Sequence, residues 1–146
     1  MDYLTAFDIS ASGMAVEKTR LDVTALNLAN ANTSRTANGR VFRPLRVLTE
    51  PAQLGFESLL GQARSNLNFE GVKVTAIQEM NTAPRMVQDP GHPDADENGF
   101  VAYPGVNTTS EMVNMITAVR TYEANVRALN AARTMALKAL EIGGSQ

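Results

Sequence analysis

The last third of the chain, from Thr108 to Ile142, carries apolar side chains three and four residues apart and contains no proline or glycine. The series comprises Met112, Met115, Val119, Tyr122, Val126, Leu129, Ala136 and Leu140. Arg133 alone interrupts it. Such a repeat predicts a long helix that buries a narrow stripe against other helices, as in a coiled coil. Thr108 and Glu111 have the spacing of a capping box, and Gly143-Gly144 predicts the end of the helix.

The N-terminal segment has the same spacing. Its apolar positions are Leu4, Phe7, Ala11, Met14, Leu21, Ala25 and Leu28. Lys18 is the polar residue within the series, and Gly13 costs about 1 kcal/mol relative to alanine inside a helix. We therefore predict a second long helix that is marginal by itself and folds properly only against a partner.

The middle of the chain is the least regular part. Six of the ten residues from Asn30 to Gly39 are Asn, Thr or Ser, which indicates a helix end and a loop. Residues 40–49 predict a strand broken or turned at Pro44, whereas residues 51–68 have no clear periodicity.

A better strand pattern follows. Residues 71–87 alternate between apolar and polar side chains at first, are then turned by Asn81 to Pro84, and can return over Arg85 to Val87. Residues 88–105 hold several prolines and glycines and predict a polar connector rather than a regular element.

Together these patterns predict a mainly α protein with a small β-containing insert, in which the long terminal helices pair as a coiled-coil-like hairpin. The predicted domains are an N-terminal helix over 1–33, the β-containing insert and connector over 34–107, and a C-terminal helix over 108–146. Val113 and Ile116 widen the apolar stripe beyond what one partner helix covers. We therefore predict an assembly interface. It comprises Leu4, Phe7, Met14, Leu21, Leu28, Met112, Val113, Met115, Ile116, Val119, Tyr122, Val126, Leu129 and Leu140.

Composition narrows the classes of function. Aromatic residues make up 5% of the chain and tryptophan is absent, which suits helices packed on helices better than a thick sheet core. The net charge is −2 and the only basic group is Arg40, Arg43 and Arg46, so we expect no nucleic-acid partner. No apolar run approaches the roughly 20 residues of a membrane span, so we expect no membrane insertion. The absence of cysteine excludes disulfides and thiolate chemistry.

One segment has the spacing of a metal site. Residues 94–99 read Asp-Ala-Asp-Glu-Asn-Gly, like the opening of an EF-hand loop, so one hypothesis is a calcium-dependent binding module using Asp94, Asp96 and Asn98. Gly105 occupies the twelfth position, where a glutamate would close the site. Turn formation by these polar side chains is the favoured interpretation. We expect no metal site, no cofactor and no enzymatic activity.

Three stretches of the sequence contain motifs that are typical of a known protein family. Residues 27–33 read Asn-Leu-Ala-Asn-Ala-Asn-Thr and follow Ser12-Gly13-Met14, while residues 89–99 read Asp-Pro-Gly-His-Pro-Asp-Ala-Asp-Glu-Asn-Gly. Residues 111–126 contain Glu-Met-Val-Asn-Met-Ile and Arg-Thr-Tyr-Glu-Ala-Asn-Val. Together they resemble the rod and hook proteins of the bacterial flagellum, and among these the proximal rod subunits. The motif residues are Asn27, Asn30, Asn32, Thr33, Asp89, Pro90, His92, Pro93, Asp94, Asp96 and Asn98.

The resemblance implies a structural subunit of the flagellar basal body, in the rod that spans the periplasm and transmits torque. It implies export through the flagellar type III apparatus, terminal regions that order on assembly, and packing of the helices in an inner tube. Expected partners are identical copies, other rod subunits, the adaptor protein at the rod base and the export apparatus. A coiled-coil adaptor that never polymerises is the remaining alternative.

Overall fold

The computed structural model describes residues 3–52 and 71–144. Its elements, in chain order, are α1 Tyr3–Ala29, β1 Leu45–Pro51, β2 Val72–Glu79, β3 Arg85–Gln88, β4 Phe100–Tyr103 and α2 Thr108–Gly144. The prediction of two long terminal helices around a small β-containing middle is confirmed. Most of the aperiodic segment over 51–68 lies outside the described residues.

The start of α2 differs in detail from the prediction. The capping residue is Asn107, one position before the predicted Thr108, because its Oδ1 accepts a hydrogen bond from Ser110 N–H at 3.1 Å. Glu111 instead binds side chains, as described below. The predicted end at Gly143-Gly144 is confirmed, since the last helical residue of α2 is Gly144.

The strands form two separate two-stranded sheets. In the first, β1 pairs with β2, and the bonds Met80 N–H to Pro44 O (2.7 Å) and Ala52 N–H to Gly71 O (3.0 Å) bracket an antiparallel pair. In the second, β3 and β4 are antiparallel, with Arg85 opposite Tyr103 at one end.

This second sheet corrects two expectations. Residues 85–87 do return as a strand, but the partner is β4 rather than the preceding strand β2. Residues 88–105 are not a plain connector, because they contain β4 and the loop of a hairpin. Four-residue strands are too short to show a clear alternation, and the prolines and glycines of this stretch serve the loop.

The chain divides into two compact units. The first unit comprises Met1–Thr19, Thr49–Thr75 and Ala118–Gln146, and it buries Val16, Ala118 and Ala132. The second unit comprises Arg20–Leu48 and Ala76–Thr117. Its buried side chains include Val23, Thr24, Asn27, Ala31, Val101 and Pro104. The division into helix, insert and helix at 33 and 107 stays a prediction.

The buried side of each helix is displaced from the series of large apolar residues. In α2 the buried positions include Ala118 and Ala132, one residue before the predicted Val119 and the interrupting Arg133. In α1, Ser10 and Thr24 are buried while the following alanines are exposed. Small residues allow close approach, so they are buried while several larger apolar side chains stay exposed. Arg133 therefore does not interrupt the buried series.

Candidate assembly interface and motif contacts

Asn27 joins three elements of the second unit. It is 2% exposed, and its side-chain amide pairs with both backbone groups of Leu45, the first residue of β1. Leu45 N–H donates to Asn27 Oδ1 at 2.8 Å, and Asn27 Nδ2 donates to Leu45 O at 2.9 Å. Nδ2 also donates to Glu111 Oε2, in the first turns of α2, at 3.0 Å. We call Asn27, Leu45 and Glu111 the Asn27 junction.

The orientation of the Asn27 amide follows from its neighbours. Leu45 N–H needs an acceptor, whereas Leu45 O and the Glu111 carboxylate need donors, so only one of the two amide orientations satisfies all three. The second carboxylate oxygen of Glu111 accepts from Asn114 Nδ2 at 3.3 Å. The junction is therefore a buried polar site whose hydrogen-bonding groups are satisfied within the chain.

Two motif residues make comparable contacts in the first unit. Ser12 Oγ donates to Ile9 O at 2.8 Å and accepts from Val72 N–H at 3.2 Å, which ties α1 to the start of β2. Gly13 faces α2, because a Cβ at this position would lie 2.7 Å from Asn125 Nδ2. Gly13, which weakens α1, therefore leaves room for Asn125 of the motif stretch over 111–126.

The loop between β3 and β4 is shaped by Asp96. Its Oδ1 accepts from Asn98 N–H at 2.9 Å and from Phe100 N–H at 2.8 Å. Gly99 has φ of 77°, the left-handed region that glycine adopts most readily. The interpretation of these polar residues as turn formers is confirmed for Asp96.

Asp94 binds a different part of the second unit. Its Oδ2 accepts from Ser34 Oγ at 2.7 Å, and its Oδ1 lies 3.4 Å from Arg35 Nε. Asp94 N–H donates to His92 Nδ1 at 3.1 Å, and the His92 ring meets Tyr103 edge-on at 6.3 Å. Within residues 3–52 and 71–144, no group of three or more His, Asp or Glu side chains is arranged to hold a metal ion.

The other motif residues lie mostly in loops. Asn30 Nδ2 donates to Leu26 O at 2.9 Å, while Thr33 N–H donates to Asn30 O at 3.0 Å. Asn32 is exposed. Asp89, Pro90 and Pro93 are exposed residues of the β3–β4 loop.

The predicted interface residues fall into two groups in the single chain. Exposed are Met112, Val113, Ile116, Val119, Tyr122 and Leu140, whereas Phe7, Met14, Leu21, Leu28, Met115, Val126 and Leu129 are half-buried. The side chain of Leu4 lies outside the described part of the chain. Their role in assembly stays a prediction. The most exposed cluster in the second unit is Met112 (52%), Val113 (56%) and Ile116 (54%), which we call the α2 patch.

The three residues of the α2 patch are adjacent on the helix surface. Met112 and Ile116 are four residues apart and Val113 lies between them, so the three share one side of the first turns of α2. Contiguous exposed apolar residues mark interaction surfaces in soluble domains. Near the other end of the helix, Met135, Leu137, Leu140 and Ile142 are also exposed.

Several residues that make these contacts were not predicted from the sequence. Asn107 could have been recognised as the cap, because asparagine is among the best capping residues. The contact with Leu45 uses backbone groups and leaves no sequence signal. Ser34 and Arg35 lie far in sequence from Asp94, so their contacts follow only from the fold. Within the described ranges, neither helix combines the length and apolar character that a membrane span requires.

Comparison with known families matches both helices. The family described as "Flagella basal body rod protein" matches residues 7–35, and "Flagellar basal body rod FlgEFG protein C-terminal" matches residues 97–142. The matched segments contain Asn27 and Glu111 of the Asn27 junction, and Gly13 and Asn125 of the first unit. The chain is therefore a protein of the flagellar basal-body rod class. This confirms the resemblance seen in the motifs.

Relatives that align with nearly the whole chain identify the family more closely. The chain is 38% identical to flagellar basal-body rod protein FlgC of Salmonella typhimurium over 143 residues, covering 98% of this chain and 99% of that protein. It is 39% identical to FlgC of Bacillus subtilis, with 96% and 99% covered, and 32% identical to FlgC of Borreliella burgdorferi, with 97% and 98% covered. This chain belongs to the FlgC family of flagellar basal-body rod proteins.

Proposed function

We propose that the protein is a structural subunit of the bacterial flagellar basal-body rod, located in its proximal part. The observation that carries this proposal is the similarity to FlgC proteins over 98% of the chain. Within the rod, the subunit polymerises with identical copies and other rod subunits into a helical shaft. The adaptor at the rod base and the type III export apparatus are its further partners. Its role is structural rather than enzymatic.

We further propose that α1 and α2 pair as a coiled-coil-like hairpin. Each unit supplies one contact: Asn27 with Glu111 in the second unit, and Gly13 with Asn125 in the first. The two contacts are 14 residues apart along α1 and 14 residues apart along α2. That spacing is two heptads on each helix, which supports antiparallel pairing with the repeat of a coiled coil.

The α2 patch supports assembly with other chains. Each apolar side chain of this size contributes roughly 1.5–3 kcal/mol when it is fully buried, so three of them in one patch favour covering by another subunit. Near the other end of α2, Met135 and Ile142 lie on one side of the helix, whereas Leu137 and Leu140 lie on the opposite side. One neighbouring helix cannot cover all of them, which is expected for a subunit packed among several others in a tube.

A rod also has to resist shear. In the Asn27 junction, the start of β1 is bound to Asn27 of α1, and the same buried amide binds Glu111 of α2. We propose that this junction holds the β-containing insert in a fixed position on the helices, so that the insert sets the geometry of neighbouring subunits while the helices transmit load.

Deletion and complementation test the function. In the source bacterium, a strain lacking this chain is expected to be non-motile and to form no rod, and the wild-type chain is expected to restore both. The complementing chain should co-purify with basal bodies, and its density should occupy the rod in electron cryomicroscopy maps. A motile deletion strain, or a chain that stays single and outside purified basal bodies, would contradict the proposal and favour the non-polymerising adaptor.

A further inference from the structure

The second unit carries two regions of opposite charge. The loop from Asp89 to Gly99 contains four acidic residues and no lysine or arginine. The segment from Arg35 to Arg46 contains four arginines and no acidic residue. One arginine of this segment, Arg35, lies 3.4 Å from Asp94 of the same chain. Arg40, Arg43 and Arg46 of the segment are exposed.

A cavity of about 740 Å³ lies along this basic segment within the second unit. Arg40, Phe42 and Arg43 line it together with Glu79, so its lining contains two arginines and one glutamate. Its volume is within the roughly 300–1,000 Å³ of pockets that enclose a ligand, which suits the tip of a loop. No residue of the loop from Asp89 to Gly99 lines the cavity, so the loop does not fill the cavity of its own chain.

The acidic loop is held in a defined shape. Asp96 accepts hydrogen bonds from two backbone N–H groups, and Asp96 N–H donates to Phe100 O at 2.8 Å. These bonds leave Glu97 and Asn98 exposed at the tip. A loop that is already ordered loses little conformational entropy on binding.

We propose that the acidic loop of one copy docks into the arginine-lined cavity of a second copy, with Glu97 directed at Arg40 and Arg43. The charge of the loop is opposite to that of the segment beside the cavity, and such complementarity fixes partner and register. The contact joins two different surfaces, so it is heterologous and extends into a helical assembly when the rotation does not close. This inference rests on the proposed rod function and identifies surfaces through which copies meet.

Reciprocal charge reversal tests the docking. The full-length variants are Arg43→Glu, Glu97→Arg and the double variant that carries both. Each single variant places like charges together and is expected to lower incorporation into basal bodies roughly tenfold or more, because like charges that face each other across an interface repel. The double variant restores opposite charges between copies and should recover most of the wild-type incorporation. Motility of the complemented strain gives a second readout.

Matched controls are Lys73→Glu and Glu50→Arg, which reverse exposed charges in the first unit. Circular dichroism of each purified variant checks that the helices are intact. Single variants that incorporate like wild type, or a double variant that fails to recover, would overturn the docking. If the wild-type chain itself does not enter basal bodies, the proposed function fails. If the wild-type chain enters and all variants enter equally, only the docking fails.

Because the chain has no cysteine, single cysteines provide a direct measurement. Glu97→Cys in one copy and Arg43→Cys in another, expressed together, should be joined by a bismaleimide into a covalent dimer in purified basal bodies. Cross-linking between two copies that both carry Lys73→Cys controls for random proximity. A dimer yield no higher than this control would count against the contact.

Discussion

The Asn27 junction and the α2 patch lie in the same unit and differ in how their side chains are satisfied. In the junction, the buried Asn27 amide binds the N–H and C=O of Leu45 and one carboxylate oxygen of Glu111 within a single chain. In the patch, Met112, Val113 and Ile116 each expose more than half of their surface. Polar groups are thus buried and apolar groups exposed, the reverse of the usual arrangement in a globular domain.

This difference shows that folding and assembly place separate requirements on the same sequence. The junction determines how the chain folds, since hydrogen bonds are directional and tolerate one geometry. The patch determines how the folded chain assembles, since apolar burial is non-directional and scales with the area that a neighbour covers. Substitutions in the patch should therefore affect assembly alone, and those in the junction should affect the stability of the monomer first.

The largest effect is expected from Val113→Asp and Ile116→Asp. Each replaces an exposed apolar side chain by a charge that would be buried between subunits, and the cost recurs in every copy. We expect loss of motility and no incorporation into basal bodies. The free energy of unfolding of the monomer should change by no more than about 0.5 kcal/mol, because the residues are exposed.

Thr109→Asp, at an exposed position in the first turn of the same helix, is the matched control and should incorporate normally. Motility comparable to wild type in the two patch variants would show that the patch is not an assembly surface. A large loss of monomer stability would show that the comparison with the junction is wrong.

A smaller effect, on stability, is expected from Asn27→Ala. It leaves the N–H and C=O of Leu45 and one oxygen of Glu111 without their partner, and each unsatisfied buried group costs about 1–3 kcal/mol. Because water can reach the half-buried Glu111, we expect a total loss of about 3 kcal/mol in urea unfolding. Asn32→Ala, an exposed motif asparagine, should cost less than about 0.5 kcal/mol. Equal costs for the two alanine variants would contradict the structural role of the junction.

The smallest effects, again on stability, are expected from alanine substitutions at two glycines. Gly105 is closely surrounded by other atoms, whereas Gly143 is open to solvent. A Cβ at Gly105 would collide with Ala83 O and lie 2.7 Å from Thr82 Cγ2, so Gly105→Ala should destabilise the monomer by about 1–3 kcal/mol. Apart from its chain neighbours and the backbone of its own helix, no atom lies within 4 Å of a Cβ at Gly143, which is within α2. Gly143→Ala should therefore stabilise the helix by about 0.5–1 kcal/mol. Thermal unfolding measures the change in stability for each variant. If both changes had the same sign, the packing described for the two glycines would be wrong.

Much of the fold follows from the sequence. The 3-4 spacing predicts both helices and the alternation over Val72 to Ala76 predicts β2, since these patterns are long and local. The pairing of β3 with β4 was missed because it joins short segments across a loop rich in proline and glycine. The buried side of each helix was displaced because the spacing was judged from large apolar residues, whereas Ala118 and Ala132 are the side chains that are buried.

The candidate site was predictable only as a set of motifs. The motif stretches name Asn27 and Glu111, and Gly13 and Asn125, yet nothing in the sequence says that these residues meet in pairs. Residues 84 positions apart, such as Asn27 and Glu111, come together through the fold and not through a local pattern. The acidic loop was recognised as a motif, but the cavity of opposite charge requires the structure.

The amide of Asn27 also acts on the edge of β1. An uncovered strand edge presents backbone groups that can pair with any extended chain, and this is a common route to aggregation. At Leu45 both groups are already bound by a side chain of the same molecule. A foreign strand would have to displace that amide before it could add to the sheet at this point. At Leu45, the junction therefore protects the subunit against indiscriminate β-pairing and leaves side-chain contacts to select its neighbours.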